Sequence, residues 1–331
     1  MTKIVILGAG SIGCWIGGHL IASGSNVSLL GRERYAAEIA KNGLTLTHFE
    51  RDDVICRDVD FQTTPAVLTD ADIIGLCVKS QDTAHAAQQI AEHAPKAMVV
   101  SFQNGIRNSE TLREILPPQR VIPAIVPFNV TPTQPGGFHC GTAGALVVKT
   151  NSQISPLVQA LIASGQEVRQ VETIIGDQWA KMIVNLNNGL NTLSGGTLRE
   201  GLLQREYRCA LAASVEEALA VADGNGVRVG QFNGRSPAAL VKTLRLPNFA
   251  YRIIMQMIVK IDAQARSSML DDLEAGRPSE IDFLQGEIVK QAKSIGQAAP
   301  VNASILDAVK AAFDQGRSPK LSGAELYRLI K

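Results

Sequence analysis

KIVILGAGSIGCWIGGHLIASG, residues 3–24, contains the pattern from which the class of fold can be predicted. An apolar run precedes Gly8, a helix-forming run follows Gly13, and the pattern G-x-G-x-x-G lies between them. In such a strand–turn–helix context the first glycine permits a tight turn, the second lets the backbone approach a pyrophosphate, and the third lets the helix pack close to the strand. The stretch predicts a dinucleotide-binding loop rather than a glycine-rich turn without a ligand. The expected cofactor contacts are Gly8, Gly10, Ser11, Ile12 and Gly13.

Strand and helix patterns alternate over the first 130 residues or so. This alternation predicts βαβ units and a mostly parallel, doubly wound sheet, the Rossmann arrangement. The apolar runs do not alternate with polar residues, which is typical of strands that are covered on both faces. The predicted strands are Lys3–Leu7, Val27–Leu30, Asp72–Val78, Ala97–Phe102 and Val121–Val126, and the predicted helices are Cys14–Ala22 and Thr83–Ala94.

The pattern changes in the second half of the chain. Residues Pro127–Gly144 are rich in Pro, Thr and Gly, and Ala145–Val148 follows as a strand, which together predict an irregular or antiparallel edge to the sheet. From about Thr173 only helix patterns remain, so we expect a Rossmann NADP(H)-binding domain over residues 1–172 and a helical substrate domain over 173–331. The predicted helices are Ile175–Leu193, Glu206–Asn225, Pro237–Leu244, Tyr251–Ala265, Glu280–Ile295 and Ala303–Asp314.

Composition narrows the class of protein. The 331 residues include 32 basic and 31 acidic side chains, so the formal net charge of +1 gives no electrostatic reason to expect a nucleic-acid partner. Hydrophobic residues make up 45%, enough to bury a core. No apolar run is long enough to predict a membrane span or a signal peptide, and we expect a cytoplasmic protein. The sequence leaves open whether the chain is a monomer or a homodimer.

Five cysteines are scattered along the chain without a Cys-x-x-Cys pair, and the five histidines form no His-x-x-x-His pattern. This arrangement predicts neither a disulfide framework nor a metal site, and it fits a reducing compartment. The cysteines are Cys14, Cys56, Cys77, Cys140 and Cys209.

The residues after the second predicted strand bear on the choice of nicotinamide cofactor. An NAD enzyme usually carries an acidic residue there to bind the ribose 2′-hydroxyl, whereas this chain has Gly31 followed by Arg32. A guanidinium group can bind a 2′-phosphate with two hydrogen bonds, so the sequence favours NADP(H). Glu33 is the complication, because a shift of one residue would restore an acid. Arg32 could instead be a solvated loop charge.

Two further polar residues follow predicted strands, where ligands of parallel sheets collect. Lys79 ends the strand that begins at Asp72, and Asn104 ends the next one. Both are candidate cofactor contacts. Lys79 could also be a solvated charge, and Asn104-Gly105 could be a turn dipeptide.

In the helical half, Lys181, Asn185 and Asn188 stand at i, i+4 and i+7 and so share one face of a predicted helix. The rest of that helix is largely apolar, which is typical of a buried helix. A lysine and two amides on such a helix need partners or a ligand, because an unpaired buried charge is costly. The alternative is a solvated polar stripe.

Two segments near the C-terminus look like helix starts. Ser279 with Asp282 three residues later predicts a capping box, and Glu280 would be a first-turn carboxylate that favours the helix dipole. Ser268 precedes Met269 and can be explained in the same way. Capping alone accounts for these residues without any function.

Taken together and in this order, these motifs resemble the ketopantoate reductase (2-dehydropantoate 2-reductase) family over nearly the whole chain. The marks are the glycine loop, Arg32, Lys79, Gln103-Asn104-Gly105, the Trp179–Asn185 helix, the Ser267–Asp272 segment and the Ser279–Asp282 segment. The resemblance implies an all-α C-terminal domain of the 6-phosphogluconate dehydrogenase C-terminal-like type. It also implies reduction of a small 2-oxo acid by NADPH, with 2-dehydropantoate as the leading substrate in pantothenate biosynthesis.

The resemblance assigns roles to individual residues. It implies that Lys181 is the catalytic acid, that Asn185, Ser268 and Glu280 contact the substrate, and that Arg32, Lys79 and Asn104 contact the cofactor. Family members often have asparagine where Gly189 and Ala265 stand here, and Asn188 is expected to take the place of the first. These departures leave two alternatives open: a related two-domain dehydrogenase for another 2-oxo or 3-hydroxy acid, and an NADP(H)-binding sensor without catalysis.

Overall fold

The structure is a computed structural model that describes residues 1–231, 234, 236–258 and 265–331. The chain divides into two compact units, Met1–Ile174 and Ile175–Lys331. The first unit contains both strands and helices, and the second contains helices.

The first unit alternates strands and helices along much of its length. Short 3₁₀ helices also occur, among them Ser80–Asp82. The strands and α-helices in chain order are β1 (Ile4–Leu7), α1 (Ser11–Ala22), β2 (Val27–Leu30), α2 (Glu33–Asn42), β3 (Leu44–His48), β4 (Val54–Cys56), β5 (Phe61–Gln62), β6 (Ile73–Leu76), α3 (Thr83–His93), β7 (Met98–Ser101), α4 (Asn108–Arg113), β8 (Val121–Ile125), β9 (Val130–Pro132), β10 (Gly137–Cys140), β11 (Leu146–Lys149), α5 (Ser155–Ala163) and β12 (Val168–Val171).

Eight of these strands form one sheet in the order β12-β11-β8-β7-β6-β1-β2-β5. Its pairs are parallel except for β11, which runs antiparallel to β8. Ile4 and Ile6 of β1 pack into the core on one face, while Val5 and Leu7 pack into the core on the other. Burial on both faces explains why the strands read as continuous apolar runs. The predicted Rossmann arrangement is therefore confirmed. The strand after Gly144 is antiparallel to its neighbour β8, as predicted, but β12 and not β11 is the edge strand.

The prediction for Pro127–Gly144 is wrong in one respect. This segment contains β9 and β10, which pair with each other but join a separate four-stranded sheet of order β4-β3-β10-β9 rather than the edge of the main sheet. Strands β3 and β4 were not predicted. In β3, Leu44 and Leu46 are buried while the intervening Thr45 is only half-buried, the alternation of a strand covered on one face. Such short alternating strands carry little signal beside the apolar runs of the main sheet.

The second unit is built from ten described α-helices and one 3₁₀ helix, Ile281–Phe283. This confirms the predicted helical C-terminal half. The α-helices are α6 (Ile175–Asn185), α7 (Asn187–Ser194), α8 (Leu198–Leu203), α9 (Arg205–Gly224), α10 (Pro237–Leu244), α11 (Asn248–Ile258), α12 (Ser268–Glu274), α13 (Gln285–Ser294), α14 (Pro300–Asp314) and α15 (Gly323–Leu329).

Two predicted helices of this unit are interrupted. The helix predicted over Ile175–Leu193 breaks at Leu186, whose amide donates to the carbonyl of Ile183 at 3.2 Å in a 3₁₀-type bond. The helix predicted over Glu280–Ile295 is a 3₁₀ turn followed by α13, because Leu284 (φ −116°, ψ −95°) leaves the helical conformation. Residues 259–264 of the predicted helix Tyr251–Ala265 lie outside the described residues.

Arg208 organises the middle of the helical unit. Its side chain is fully buried and donates hydrogen bonds to the carbonyls of Leu202, Leu244 and Leu246, at 2.9–3.1 Å. Burial lowers the pKa of this guanidinium, but a guanidinium stays charged near neutral pH. Arg208 therefore stabilises the ends of α8 and α10 by occupying carbonyls that no helical amide reaches.

Three general features follow for the described part of the chain. None of its helices is both long and apolar enough to cross a membrane. The five cysteines are free thiols. No group of three or more His, Cys, Asp or Glu side chains that could hold a metal ion occurs among the residues that were described.

One buried histidine makes the first unit sensitive to acid. His19 packs edge-to-face on Trp15 with ring centroids 4.6 Å apart, and only 7% of it is exposed. Burial, followed by the positive charge of Arg51, lowers its pKa to about 4. The His19 side chain therefore binds a proton near pH 6.5 in the unfolded chain, but only near pH 4 in the folded chain.

We predict that the free energy of unfolding falls by about 3 kcal/mol between pH 7 and pH 4 because of His19 alone. His19→Gln should remove most of that pH dependence, whereas His85→Gln at the exposed His85 of α3 should leave it unchanged. The measurement is urea denaturation across this pH range. An equally steep loss of stability in His19→Gln would contradict the prediction.

Candidate functional site

The glycine loop joins β1 to α1 and has the geometry that its sequence predicts. Gly8 has φ +98°, and a Cβ there would lie 2.5 Å from the amide nitrogen of Val78. A Cβ at Gly13 would lie 2.4 Å from the carbonyl oxygen of Gly8, so α1 can approach the turn only with glycine here. A Cβ at Gly10 would meet none of the described residues within 4 Å, so this part of the loop faces open space.

The start of α1 is suited to an anion. Gly10 is the cap residue of α1, and because glycine has no side chain it cannot satisfy the first-turn amides of Ser11, Ile12 and Gly13. These amides and the positive end of the helix dipole form a site at which a pyrophosphate can bind. The residues therefore fit a dinucleotide cofactor.

The end of β2 shows why no acidic residue occupies position 31. A Cβ at Gly31 would lie 2.9 Å from the Cβ of Ala9 in the glycine loop and 2.9 Å from the ring of Phe61. An aspartate or glutamate at this position would therefore force the loop to move. Arg32 follows as the exposed cap residue of α2.

Glu33, which complicated the choice of cofactor, is exposed in the first turn of α2. A carboxylate in that position interacts favourably with the helix dipole. The presence of a glutamate at position 33 therefore has a structural explanation that involves no cofactor. The neighbouring Arg34 forms an i,i+4 ion pair with Glu38 at 2.8 Å.

Lys79 and Asn104 lie at the same edge of the sheet. Strands β6 and β7 are parallel neighbours, with Leu76 opposite Ser101, so the loops that follow them leave the sheet side by side. Lys79 is half-buried and precedes the 3₁₀ helix Ser80–Asp82, whereas Asn104 is exposed. The structure thus brings together two residues that the sequence predicted separately.

A buried hydrogen-bond network joins these two loops. We call it the loop network and define it as Ser80, Thr83, Gln103 and Asn108. The Gln103 side chain donates to the Val78 carbonyl at 3.1 Å and to the Thr83 hydroxyl at 2.8 Å. Asn108 donates to the Ser80 hydroxyl at 3.2 Å and also to the Asn104 carbonyl. Sequence reasoning missed this network, although polar residues directly after buried strands were its signal.

In the second unit, Lys181 lies on α6 among buried apolar neighbours. Trp179, Met182 and Ile183 are almost fully buried, whereas Lys181 is half-buried. Burial lowers the pKa of the Lys181 ammonium group to about 8. A lysine in this range carries a proton near neutral pH and releases it more readily than a solvated lysine does.

The break at Leu186 changes how the predicted polar face is built. Lys181 and Asn185 lie on α6, and Asn188 lies on α7 beyond the break; all three are half-buried. The sequence had predicted that the three residues share one continuous helix, and that prediction is wrong. The carbonyl of Leu186, the cap residue of α7, accepts a hydrogen bond from the buried side chain of Gln285 at 2.7 Å.

Gly189 is a buried position that contacts the Gln285 side chain. A Cβ at Gly189 would lie 3.0 Å from Nε2 of Gln285 and 3.1 Å from Cγ2 of Ile305. The space that a side chain at 189 would need is therefore partly filled by Gln285. This accounts for glycine where the family often has asparagine.

The predicted substrate residue Ser268 does not cap its helix. The cap of α12 is Ser267, whose hydroxyl accepts from the Leu270 amide at 3.2 Å, and Ser268 is the exposed first residue of the helix. Asn191 of α7 is fully buried and accepts from the Ser267 amide at 2.9 Å. Helix α12 packs against α7, so Ser268 is held beside the helix that carries Asn188.

Glu280 also differs from its prediction as a first-turn carboxylate of a long helix. It precedes a three-residue 3₁₀ helix, and the Ser279 hydroxyl accepts from the Ile281 amide at 3.1 Å instead of forming a capping box. Asp282 pairs with Lys310 at 2.7 Å. Helix capping therefore accounts less well for the presence of a glutamate at position 280, whose side chain is half-buried.

Two buried amide side chains connect these parts of the helical unit. Asn191 links α7 to the start of α12, and Gln285 links the break after α6 to the segment that follows Glu280. Sequence reasoning missed both, because each bonds to residues that are far away along the chain. Ala265, the other departure from the family, accepts a hydrogen bond from the Leu198 amide at 2.9 Å through its carbonyl.

The comparisons with known proteins agree with this arrangement. Residues 4–153 match the family described as "Ketopantoate reductase PanE/ApbA", and residues 173–313 match "Ketopantoate reductase PanE/ApbA C terminal". The 2-dehydropantoate 2-reductase of Pyrococcus horikoshii is 29% identical over 328 residues, which cover 96% of this chain and 100% of that protein.

Solved structures give the same result. A PanE/ApbA family ketopantoate reductase from Ralstonia eutropha JMP134 has 29% identity and a TM-score of 0.82, with 95% of this chain and 99% of that chain covered. A D-mandelate dehydrogenase solved with NADH and anilino(oxo)acetate has a TM-score of 0.79 and the same coverage, but at 21% identity it shows the fold alone. The chain belongs to the ketopantoate reductase family of pyridine-nucleotide-dependent oxidoreductases.

Proposed function

We propose that this protein reduces 2-dehydropantoate to pantoate with NADPH, the step used in pantothenate biosynthesis. The observation that carries the proposal is Lys181, a half-buried lysine whose pKa burial lowers to about 8. A binding protein without catalysis has no use for such an acid, which argues against the sensor alternative. The proposed setting is the cytoplasm, with the chain acting alone or as a homodimer.

We assign cofactor binding to residues 1–172 and substrate binding to residues 173–331. The first-turn amides of α1, from Ser11, Ile12 and Gly13, would hold the pyrophosphate, with Gly8 and Gly10 shaping the loop. Arg32 would hold the 2′-phosphate, and Lys79 and Asn104 would contact the cofactor from the neighbouring strand ends.

The proposed chemistry divides between cofactor and protein. When bound, reduced nicotinamide supplies a hydride to the carbonyl carbon of the 2-oxo acid. Lys181 donates its proton to the carbonyl oxygen as negative charge develops there, and its own positive charge stabilises that oxygen beforehand. Asn185, Asn188 and Ser268 can donate hydrogen bonds to the substrate, while the Glu280 carboxylate can accept one from a substrate hydroxyl.

A second candidate function concerns the substrate alone. Gly189 and Ala265 remove two amides that family members often use, and Gln285 partly fills the space at 189. This favours, as the alternative, a related dehydrogenase that acts on a different 2-oxo or 3-hydroxy acid. A panel of such acids, assayed by NADPH oxidation, separates the two: the highest kcat/KM with 2-dehydropantoate supports the main proposal.

The fold does not decide the cofactor, since the D-mandelate dehydrogenase of similar fold was solved with NADH. We predict that Arg32→Ala raises the Kd for NADPH about 10- to 100-fold, because a charged hydrogen-bonding partner of the 2′-phosphate is lost. NADH lacks that phosphate, so its Kd should barely change. Arg34→Ala, at the neighbouring exposed arginine that pairs with Glu38, is the matched control. Equal affinities of the unmutated protein for the two cofactors would contradict the assignment.

We predict that Lys181→Ala lowers kcat by about 10²- to 10⁴-fold, the usual contribution of a general acid. NADPH affinity, measured by its fluorescence, should stay near normal, since the proton is needed only in the transition state. Lys290→Ala, at an exposed lysine of α13, should leave both quantities unchanged. A loss of kcat below about tenfold would show that another group is the acid.

The same lysine predicts a pH profile. Because Lys181 must be protonated to act and its pKa lies at about 8, kcat for reduction should be highest below pH 8 and fall as pH rises through that value. Lys181→Arg keeps the charge but does not release its proton in this range, so its residual activity should lose the pH dependence.

We predict that Glu280→Gln raises KM for the 2-oxo acid about tenfold with an unchanged melting temperature, because a hydrogen-bond acceptor for the substrate is weakened. Asp282→Ala, which removes the exposed carboxylate paired with Lys310, should leave KM unchanged. If Glu280 serves only the helix start, its variant should instead lose about 0.3–1 kcal/mol of stability with intact kinetics.

A further inference from the structure

The loop network is polar although its members are buried. Thr83 is 1% exposed, Ser80 and Asn108 are each 5% exposed, and Gln103 is 7% exposed. Replacing a hydrogen-bonded buried pair by apolar groups of the same shape is often nearly neutral for stability. Folding alone therefore does not require polar side chains at all four positions.

The network joins the two loops at several points, in addition to bonds within each loop such as that from the Thr83 hydroxyl to the Ser80 carbonyl at 2.8 Å. Gln103, from the loop after β7, donates to the Val78 carbonyl and the Thr83 hydroxyl, which both belong to the segment after β6. Its own Oε1 accepts from the Ser101 hydroxyl at 3.0 Å, which fixes the orientation of the amide. The Gln103 side chain is thus held by both strand ends.

Asn108 and Thr83 complete the connection on the far side of the loops. Oδ1 of Asn108 lies 3.0 Å from the Thr83 hydroxyl, and Nδ2 donates to the Ser80 hydroxyl and to the backbone carbonyl of Asn104. The Ser80 hydroxyl is also 3.4 Å from that Asn104 carbonyl. The backbone segments that carry Lys79 and Asn104 are therefore connected to each other by buried hydrogen bonds.

We propose that the loop network is a set of positioning residues that holds Lys79 and Asn104 as one preorganised platform for the dinucleotide. This inference rests on the proposed function of those two residues. Its members are at most 7% exposed, so the role that we assign them is to act through the loops rather than by direct contact with the cofactor. Preorganised loops lose less conformational freedom when the cofactor binds, and affinity rises accordingly.

Thr83→Val tests the inference, because valine has nearly the shape of threonine and removes only the hydroxyl, which lies within hydrogen-bond distance of the Gln103 and Asn108 side chains and of the Ser80 carbonyl. We expect the Kd for NADPH to rise about five- to tenfold, with kcat at saturating NADPH unchanged. Thr83→Ser restores the hydroxyl and should bind NADPH within about twofold of the unmutated protein. Binding is measured by NADPH fluorescence well below the melting temperature.

Two controls separate positioning from general loss of stability. Ser214→Ala breaks a buried hydrogen bond of the same kind, 2.7 Å to Asn302, between α9 and α14. It should lower the melting temperature without changing NADPH affinity. In a Lys79→Ala/Asn104→Ala background, Thr83→Val should weaken binding no further, since coupled residues show non-additive effects.

The outcomes are distinguishable. If Lys79→Ala and Asn104→Ala weaken NADPH binding while Thr83→Val does not, the loop network has no positioning role and the proposed cofactor site stands. An equal effect of Thr83→Val with and without Lys79 and Asn104 also overturns the inference. If Lys79→Ala and Asn104→Ala leave binding unchanged, the cofactor assignment itself fails, and the platform fails with it.

Discussion

The nucleotide-binding unit depends above all on the missing side chain at Gly8. A Cβ there would lie 2.5 Å from the Val78 amide nitrogen, so the turn after β1 can lie against the end of β6 only as glycine. Gly13 repeats the constraint five residues later, against the carbonyl oxygen of Gly8. The position of α1, its first-turn amides and the loop that carries Lys79 all follow from these two close approaches.

The geometry of the helical unit depends on buried polar side chains, whereas that of the glycine loop depends on missing side chains. The break at Leu186 separates α6 from α7 in an apolar setting, where backbone polar groups need partners. The Gln285 side chain donates to the Leu186 carbonyl there, and Gly189 leaves the space for that side chain. Asn191 likewise supplies a partner for the Ser267 amide at the start of α12. The candidate substrate residues therefore lie near the ends of helices. Hydrogen bonds that involve the amide side chains of Asn191 and Gln285, which are distant along the chain, hold these helix ends in place.

This contrast explains what the sequence could predict. The strand Val27–Leu30 matched its prediction because the serine and glycine near its ends mark, within the local sequence, where the strand begins and ends. The break at Leu186 could not be predicted, because its partner Gln285 lies 99 residues further along the chain. Ser267 and Ser268 are adjacent serines, and only the hydrogen bond to the Leu270 amide shows which one caps the helix. Residue identities were enough to propose a candidate site, whereas the contacts that hold its residues in place needed the structure.

The placement of Lys181 on a helix follows from the same physics. A pyrophosphate needs only backbone amides and a cation, which exposed loops at a sheet edge can provide. A general acid needs a pKa near the working pH, and for lysine that means partial removal from water. Burial on α6 provides this, and it lowers the pKa of Lys181 to about 8. A lysine on a solvated loop would keep its proton too firmly, so the apolar helix is itself part of the catalytic chemistry that we propose.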